Sequence, residues 1–251
     1  MPGYFAHGAA HVGRERKELE DCVRVEHLPQ GGVVGIVCDG MGGVGGGALA
    51  ARTAMLALAD TFRAQTTPAA PGTIQNALLA AHHAVSQAAH QARMPGMGTT
   101  AVIAWCEDQQ CHVGWVGDSR MYCWRQGQLV ARTTDHTVVA ERVARGELTE
   151  EQAASDPRAH VLAQALGVGR GVAPQTFAPF RLATGDVILL CSDGLHDCIS
   201  DAELWSFIAG KSYAEAVPAL IDQANARGGH DNIGAALIVA GTARIPKGAG
   251  A

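Results

Sequence analysis

Nowhere in the chain do apolar residues run on long enough to span a bilayer, and the opening stretch, MPGYFAHGAAHVGRER, lacks the apolar centre of a secretory signal. Basic residues are not in excess either. The 19 Lys+Arg are spread among 24 Asp+Glu, a formal net charge of −5, so no cationic stripe awaits a nucleic-acid backbone or an anionic membrane. No Pro/Ser-rich linker or shift in composition divides the 251 residues, and their 47% hydrophobic content can fill one large core. A single domain over residues 1–243 is expected, with a short tail at 244–251. Cysteine pairs at C-x-x-C spacing are missing, and the seven cysteines are an odd set in which Cys38, Cys106 and Cys191 sit inside apolar runs. Reduced thiols are expected, in a soluble cytoplasmic protein with neither a nucleic-acid nor a membrane partner. No sensor module, membrane anchor or kinase segment is visible, so regulation is expected from a separate protein.

What is present reads as strands and paired helices. CVRVEHL (22–28) alternates, PQGG supplies a turn, and VVGIVC (33–38) is a buried strand running into Asp39, which together predict a hairpin. Ala and Leu recur at helical spacing from Gly47 to Gln65 and again over TIQNALLAAHHAVSQAAHQAR, with TTPAAPG as the break between. From Thr99 onward, TTAVIAWC, CHVGWVG, RMYCWRQ and QLVART predict an antiparallel meander. Residues 137–165 are helical in tendency but broken at Gly146 and Pro157. TFAPFRL and VILLC follow as strands about the turn ATGD. Two helices with capping boxes come next, Ser200 with Glu203 and Ser212 with Glu215, and IGAALIVA closes the domain. Without a regular βαβ alternation, the pattern indicates a layered α+β fold.

A literal G-x-G-x-x-G at Gly40, Gly42 and Gly45, with Asp60 downstream, raises the question of a dinucleotide cradle. The acidic residue of such a cradle ends a second strand, whereas Asp60 falls inside a helical pattern. Asp39 also places a carboxylate where a pyrophosphate would sit. The glycines read better as a sharp turn that keeps side chains away from something held at Asp39.

The same grammar recurs along the chain. ILLCSDGLHD delivers Asp193 and Asp197 at a strand end, VGDSR delivers Asp118, HDN places Asp231 before the last strand, and LED places Glu20 and Asp21 before an early one. Each alone is an ordinary turn residue. If these strand ends converge, carboxylates ~4 Å apart repel by roughly 4 kcal/mol per pair at an effective dielectric near 20, and a cation is needed. Oxygen donors without a His or Cys set select hard divalent ions such as Mg²⁺ or Mn²⁺; His82, His83 and His90 lie on a predicted helix far from any acidic block. Two such ions can share and acidify a water and clamp a phosphoryl group, which implies phosphate-ester hydrolysis, with Arg16 as the candidate for the phosphate oxygens. A serine hydrolase using Ser119 or Ser192 is a competing reading, although neither lies in G-x-S-x-G.

RKELED (16–21), VCDGMGG (37–43), GTTAV (98–102), VGDSR (116–120), TTDHT (133–137), SDGLHD (192–197) and HDN (230–232) resemble, in order, the blocks of the metal-dependent protein phosphatases, the PPM or type 2C family. The resemblance implies an αββα sandwich, two antiparallel sheets flanked by pairs of antiparallel helices, with metals in a cleft at one end. It implies hydrolysis of phosphoserine and phosphothreonine in proteins by water activated between two Mn²⁺ or Mg²⁺ ions. Asp39 would bridge both ions, the Gly40 carbonyl would bind one, and Asp193 and Asp231 the other. Glu20 and Asp21 would act through metal-bound waters, and Asp118, Asp193 and Asp197 would form a third, weaker site. Arg16 matches the phosphate-binding arginine, and residues 138–167 are placed like the family's mobile flap. Leu19 stands where many bacterial members have Asn, and Met41 where eukaryotic members carry a proposed acid His, so the leaving alkoxide is expected to be protonated by a metal-bound water or another group, with His196 and His230 as candidates. A monomer acting on phosphoproteins, opposite a bacterial Ser/Thr kinase, is the implied setting; an inactive relative that only binds phosphoproteins is the alternative.

Overall fold

The computed structural model describes residues 3–29, 31–43, 45–64 and 72–248. The TTPAAPG break lies outside them apart from Gly72, as do Gln30 of the PQGG turn and the tail from 249. In chain order the elements are β1 (Tyr4–His11), β2 (Cys22–His27), β3 (Val33–Cys38), β4 (Gly40–Met41), α1 (Gly46–Arg63), α2 (Thr73–Ala92), β5 (Gly98–Thr99), β6 (Ala101–Glu107) and β7 (Gln110–Val116). They continue with β8 (Arg120–Arg125), β9 (Gln128–Arg132), α3 (Val138–Ala144), α4 (Glu150–Ala154), β10 (Gln175–Thr176), β11 (Phe180–Arg181) and β12 (Val187–Cys191). The last are α5 (Asp193–His196), α6 (Asp201–Ile208), α7 (Tyr213–Ala226) and β13 (Ile233–Ala240).

The strands form two antiparallel sheets, one in the order β1-β13-β12-β8-β9 and the other β10-β7-β6-β3-β2, with β11 also on β7 and β4 paired with β5. Three apolar clusters give the layers. Helices α1 and α2 pack Leu58, Phe62 and Leu78 against Ile36, Ile103 and Trp105 of the second sheet. Helices α6 and α7 pack Leu204, Val217 and Leu220 against Trp124, Leu189 and Leu237 of the first. Val37, Val102 and Val113 meet Met121, Ile188 and Ile238 between the sheets. Both faces of each sheet are therefore covered, which is why β3, β12 and β13 read as continuous apolar runs instead of alternating. The expected α+β fold is the one found, and both predicted capping boxes form, Glu203 and Glu215 each accepting from the backbone N–H and hydroxyl of its serine.

Two expectations need correction. The meander from Thr99 is not one sheet: β6 and β7 belong to the second sheet, β8 and β9 to the first. The crossing is made at Gly117, whose φ of +100° and contact with the Thr100 side chain leave no room for a Cβ. The ATGD turn likewise carries the chain from one sheet to the other, because β11 pairs with β7 whereas β12 pairs with β8 and β13. These crossings matter for the site, since the first of them carries Asp118.

Residues 138–161 form an excursion closed at its base by Val138 N–H to Val161 O (2.9 Å) and Ala163 N–H to His136 O (2.8 Å). Beyond the base, Leu166 and Thr99 exchange backbone hydrogen bonds of 2.8 and 3.0 Å, so 162–167 runs beside β5.

Candidate active site

The acidic strand ends meet. Asp39 lies between β3 and β4, Asp118 between β7 and β8, Asp193 opens α5 after β12, and Asp231 precedes β13. All four line one cleft of about 610 Å³ together with Arg16, Glu20 and Gly40. Asp21 sits just behind it, 4% exposed. Asp197 lines the adjoining groove with Asp118 and His160.

Backbone pinning sets the aim of these groups. The Asp39 N–H donates to Thr100 Oγ1 (3.0 Å), and its C=O accepts from Thr100 N–H (2.8 Å) and Thr99 Oγ1 (2.8 Å). Ser192 Oγ donates to Asp21 Oδ2 (2.6 Å) and accepts from Gly234 N–H (2.8 Å), which ties β2 to the first sheet. Asn232 holds the N-terminal acidic segment: its Oδ1 accepts from Glu20 N–H (2.6 Å), and its amide donates to Val12 O (2.9 Å) and Glu18 O (3.0 Å). The glycine loop is explained by close approach and not by a nucleotide. A Cβ on Gly40 would collide with the Gly47 carbonyl, and one on Gly47 would lie 2.6 Å from Glu20 Oε1. Asp60 is inside α1, far along the helix from the loop, as the sequence pattern indicates.

Burial and mutual repulsion act on the carboxylates in the same direction. Burial, reinforced by the charges of Asp193 and Asp231, pushes Asp21 up to about 7 against the pull of the Ser192 hydrogen bond. Burial and Asp193 push Asp118 up to about 7 as well. Asp39 is raised well above the usual carboxylate range by burial and then by Asp21, Asp193, Asp118 and Asp231. Asp193 is raised by burial, with Asp197 and Asp231 adding to it. Asp197 goes the other way: burial is outweighed by the neighbouring His196, His160 and Arg120. Asp21 Oδ1 is buried with no hydrogen-bond partner among the described residues. Converging oxygen donors, repelling one another and with one buried oxygen unmatched, are what a hard divalent cation satisfies, so the residues present fit such an ion.

The histidine candidates are placed less favourably. His196 Nε2 lies 3.2 Å from the Asp118 backbone O and its Nδ1 3.2 Å from Asp197 Oδ1, so both ring nitrogens face protein groups. His230 is at the surface, 2.6 Å from Glu15 Oε1. His160, to which the sequence assigned no role, lines the cleft, and one ligand atom from each of His160, Asp193 and Asp197 lies within 4.8 Å of the others. Asn232 and Thr100, to which the sequence also assigned no role, act as positioning residues; Asn232 carried a signal, a short polar residue next to Asp231, whereas Thr100 stands in GTTAV with no acid next to it. The serine-hydrolase reading is overturned by burial: Ser192 is fully buried against Asp21, and Ser119 is 1% exposed with its Oγ 2.6 Å from Thr100 Oγ1. Arg16 Nη2 meets Asp231 Oδ2 at 2.7 Å at the cleft mouth.

Comparison with known proteins gives this geometry its family. Residues 7–237 match the model of protein phosphatase 2C. The chain belongs to the protein phosphatase 2C family. It is a serine/threonine phosphatase of the bacterial PPM type, similar to the serine/threonine phosphatase stp of Listeria welshimeri, with 35% identity over 90% of this chain and 92% of that one. The Streptococcus agalactiae serine/threonine phosphatase superposes with a TM-score of 0.84 at 30% identity, covering 94% of this phosphatase and 99% of that one. The catalytic domain of the phosphatase PstP, solved in complex with two manganese ions, superposes with a TM-score of 0.80 at 27% identity over 94% and 98% of the two chains. No helix among the described residues is long and apolar enough to cross a membrane.

Proposed function

We propose that this phosphatase hydrolyses phosphoserine and phosphothreonine in proteins with two divalent cations, Mn²⁺ or Mg²⁺, held in the cleft of Asp39. The observation that carries the proposal is the convergence of Asp39, Asp193 and Asp231 on that cleft with Arg16 at its mouth. Asp39 and the Gly40 carbonyl would hold one ion, and Asp39, Asp193 and Asp231 the other, while Glu20 and Asp21 act from the rim and from behind. Asp118, Asp193 and Asp197 would form a third, weaker site, with His160 within reach of it. Bound there, the cations supply Lewis acidity that acidifies a water for in-line attack and neutralises charge on the phosphoryl oxygens.

The chain's own residues do the rest. Asp231, paired with Arg16 at 2.7 Å, would help hold a cation when one is bound, and the Arg16 guanidinium, released from that pair, would be free to engage two phosphate oxygens in a planar fork. Thr99 and Thr100 keep Asp39 aimed through its backbone while charge develops. Of the flap at residues 138–167, the part up to 161 extends from the His136–Ala163 base and would cover the substrate, while 162–167 stays beside β5. The domain is taken to comprise residues 1–243, and its physiological setting as opposite a Ser/Thr kinase. An inactive binding relative is not favoured, since none of the acidic positions is substituted.

Purified protein is expected to release phosphate from a phosphothreonine peptide with Mn²⁺ or Mg²⁺, to fall to background in chelator, and to recover on metal re-addition. Turnover unchanged by chelation contradicts the reading.

A further inference from the structure

Beside the catalytic cleft lies a second space, which shares Asp118, Asp197 and His160 with the third cation site but whose α3 and α4 wall has no part assigned in phosphate cleavage. Helices α3 and α4 pack on each other, and a groove of about 610 Å³ opens between them and the ends of β8 and β9. Its helical wall is built mostly from small apolar side chains, Val139, Ala140, Val143, Ala144, Ala153 and Ala154, with the charged Glu150 of α4 beside them. The cations on the opposite wall are already committed. Arg120 makes a two-pronged bond to Asp135 (2.9 and 2.7 Å), and Arg132 pairs with Asp201 at 2.7 Å. Among the described residues lining the groove, neither guanidinium is left free for a second phosphate or an acidic peptide.

Groove and cleft are continuous, since Asp118 and His160 line both. An extended peptide advances by about 3.3–3.6 Å per residue, so a few residues carry a chain from one space into the other. Resting on the phosphatase reading, we propose that this groove receives the substrate segment flanking the phosphorylated residue and selects a large apolar side chain within it. Alanines at the wall leave the volume that such a side chain fills, and the partly exposed surface of Val143, beside the already buried Val139, is covered when it does. The occupant is thus a phosphoprotein segment with an apolar residue near its phosphoserine or phosphothreonine and no acidic cluster beside it.

The test compares two series of phosphothreonine peptides, identical except that Leu or Ala is stepped through the two to four residues on either side of the phosphothreonine. Each is assayed alongside p-nitrophenyl phosphate in the same Mn²⁺ buffer. At one of these positions wild type is expected to favour the Leu peptide by about tenfold in kcat/KM, the scale of a small apolar pocket. Ala140→Phe, and separately the milder Ala144→Leu, fill the groove and should reduce that preference to within about twofold on the same scale, while p-nitrophenyl phosphate turnover stays metal-dependent, which shows that fold and metal site persist. Equal use of Leu and Ala peptides by wild type, or a preference that survives both variants, overturns the groove proposal while leaving the phosphatase reading intact. Loss of metal-dependent turnover on every substrate by wild type itself overturns both.

Discussion

Replacing Asp39 by Asn is expected to lower phosphothreonine-peptide hydrolysis by on the order of 10³-fold, the scale on which one preorganised electrostatic contact acts in an active site. The fold should survive, because the main chain of Asp39 is held from outside its own side chain. Its N–H and C=O are bound by Thr100 and Thr99, and Asn matches the shape of Asp. A second signature separates this outcome from simple damage. In the metal-free protein the Asp39 carboxylate is crowded by Asp21, Asp193, Asp118 and Asp231, so removing its charge relieves repulsion. Asp39→Asn should therefore melt at the same temperature as wild type or higher in chelator, and gain less from Mn²⁺. Thermal melts with and without metal, run beside the peptide assay, check both halves; a variant that is destabilised in chelator or retains wild-type turnover contradicts the account.

The stabilisation conferred by Mn²⁺ or Mg²⁺ is expected to grow steeply with pH. Asp21 and Asp118 stand at about 7 in the folded protein, against ordinary values near 3.8. An acid with a raised folded pKa keeps its proton in the fold and surrenders it on unfolding. Its contribution to metal-free stability is complete below 3.8 and is lost as the pH climbs to about 7. A bound cation takes the place of the proton, so it adds little at low pH and much above 7, and its binding releases protons.

Other groups titrate in this range. Burial depresses His82, His112 and His136, which strengthens the fold as the pH rises past their unfolded value. That contribution is common to the metal-free and metal-loaded protein and cancels in the difference between them. Asp156 and Glu203, held down to about 2 chiefly by hydrogen bonds from Arg158 and Arg227, contribute in full above about pH 5 and change only below it. The melting-temperature gain from metal should thus increase between pH 5.5 and 8 by on the order of 5 °C or more for a domain of this size. Asp118→Asn should flatten part of that rise. A metal gain that is constant or shrinks with pH contradicts the assignment of these carboxylates to the cation site.

Much of this site was legible because its acids stand at the ends of apolar strands, beside glycines whose role is close approach. Asp39 after VVGIVC and Asp193 after VILLC are examples, and in both the strand itself is recognisable from its unbroken burial. What stayed hidden depends on long-range partners. Strand β1, YFAHGAAH, has no clear alternation, and it exists as a strand through its pairing with β13 more than two hundred residues away. The two-residue strands β4, β5, β10 and β11 are defined only by their neighbours. The change of sheet at Gly117 leaves no trace in hydropathy, since β7 and β8 are both apolar. Ser192, Thr100 and Asn232 look like turn residues until their hydrogen bonds to Asp21, Asp39 and Glu20 are seen. His160 sits in a segment that reads as broken helix, and only the closed base of that excursion brings it beside Asp197.

The most direct measurement is the anomalous scattering of manganese in crystals of this protein grown or soaked with Mn²⁺. The account predicts paired peaks inside the cleft, with the Asp39 carboxylate between them and Asp193 and Asp231 against one of the two. Peaks elsewhere on the surface, or a cleft in which Arg16 and Asp231 remain paired and no manganese scatters, would contradict it.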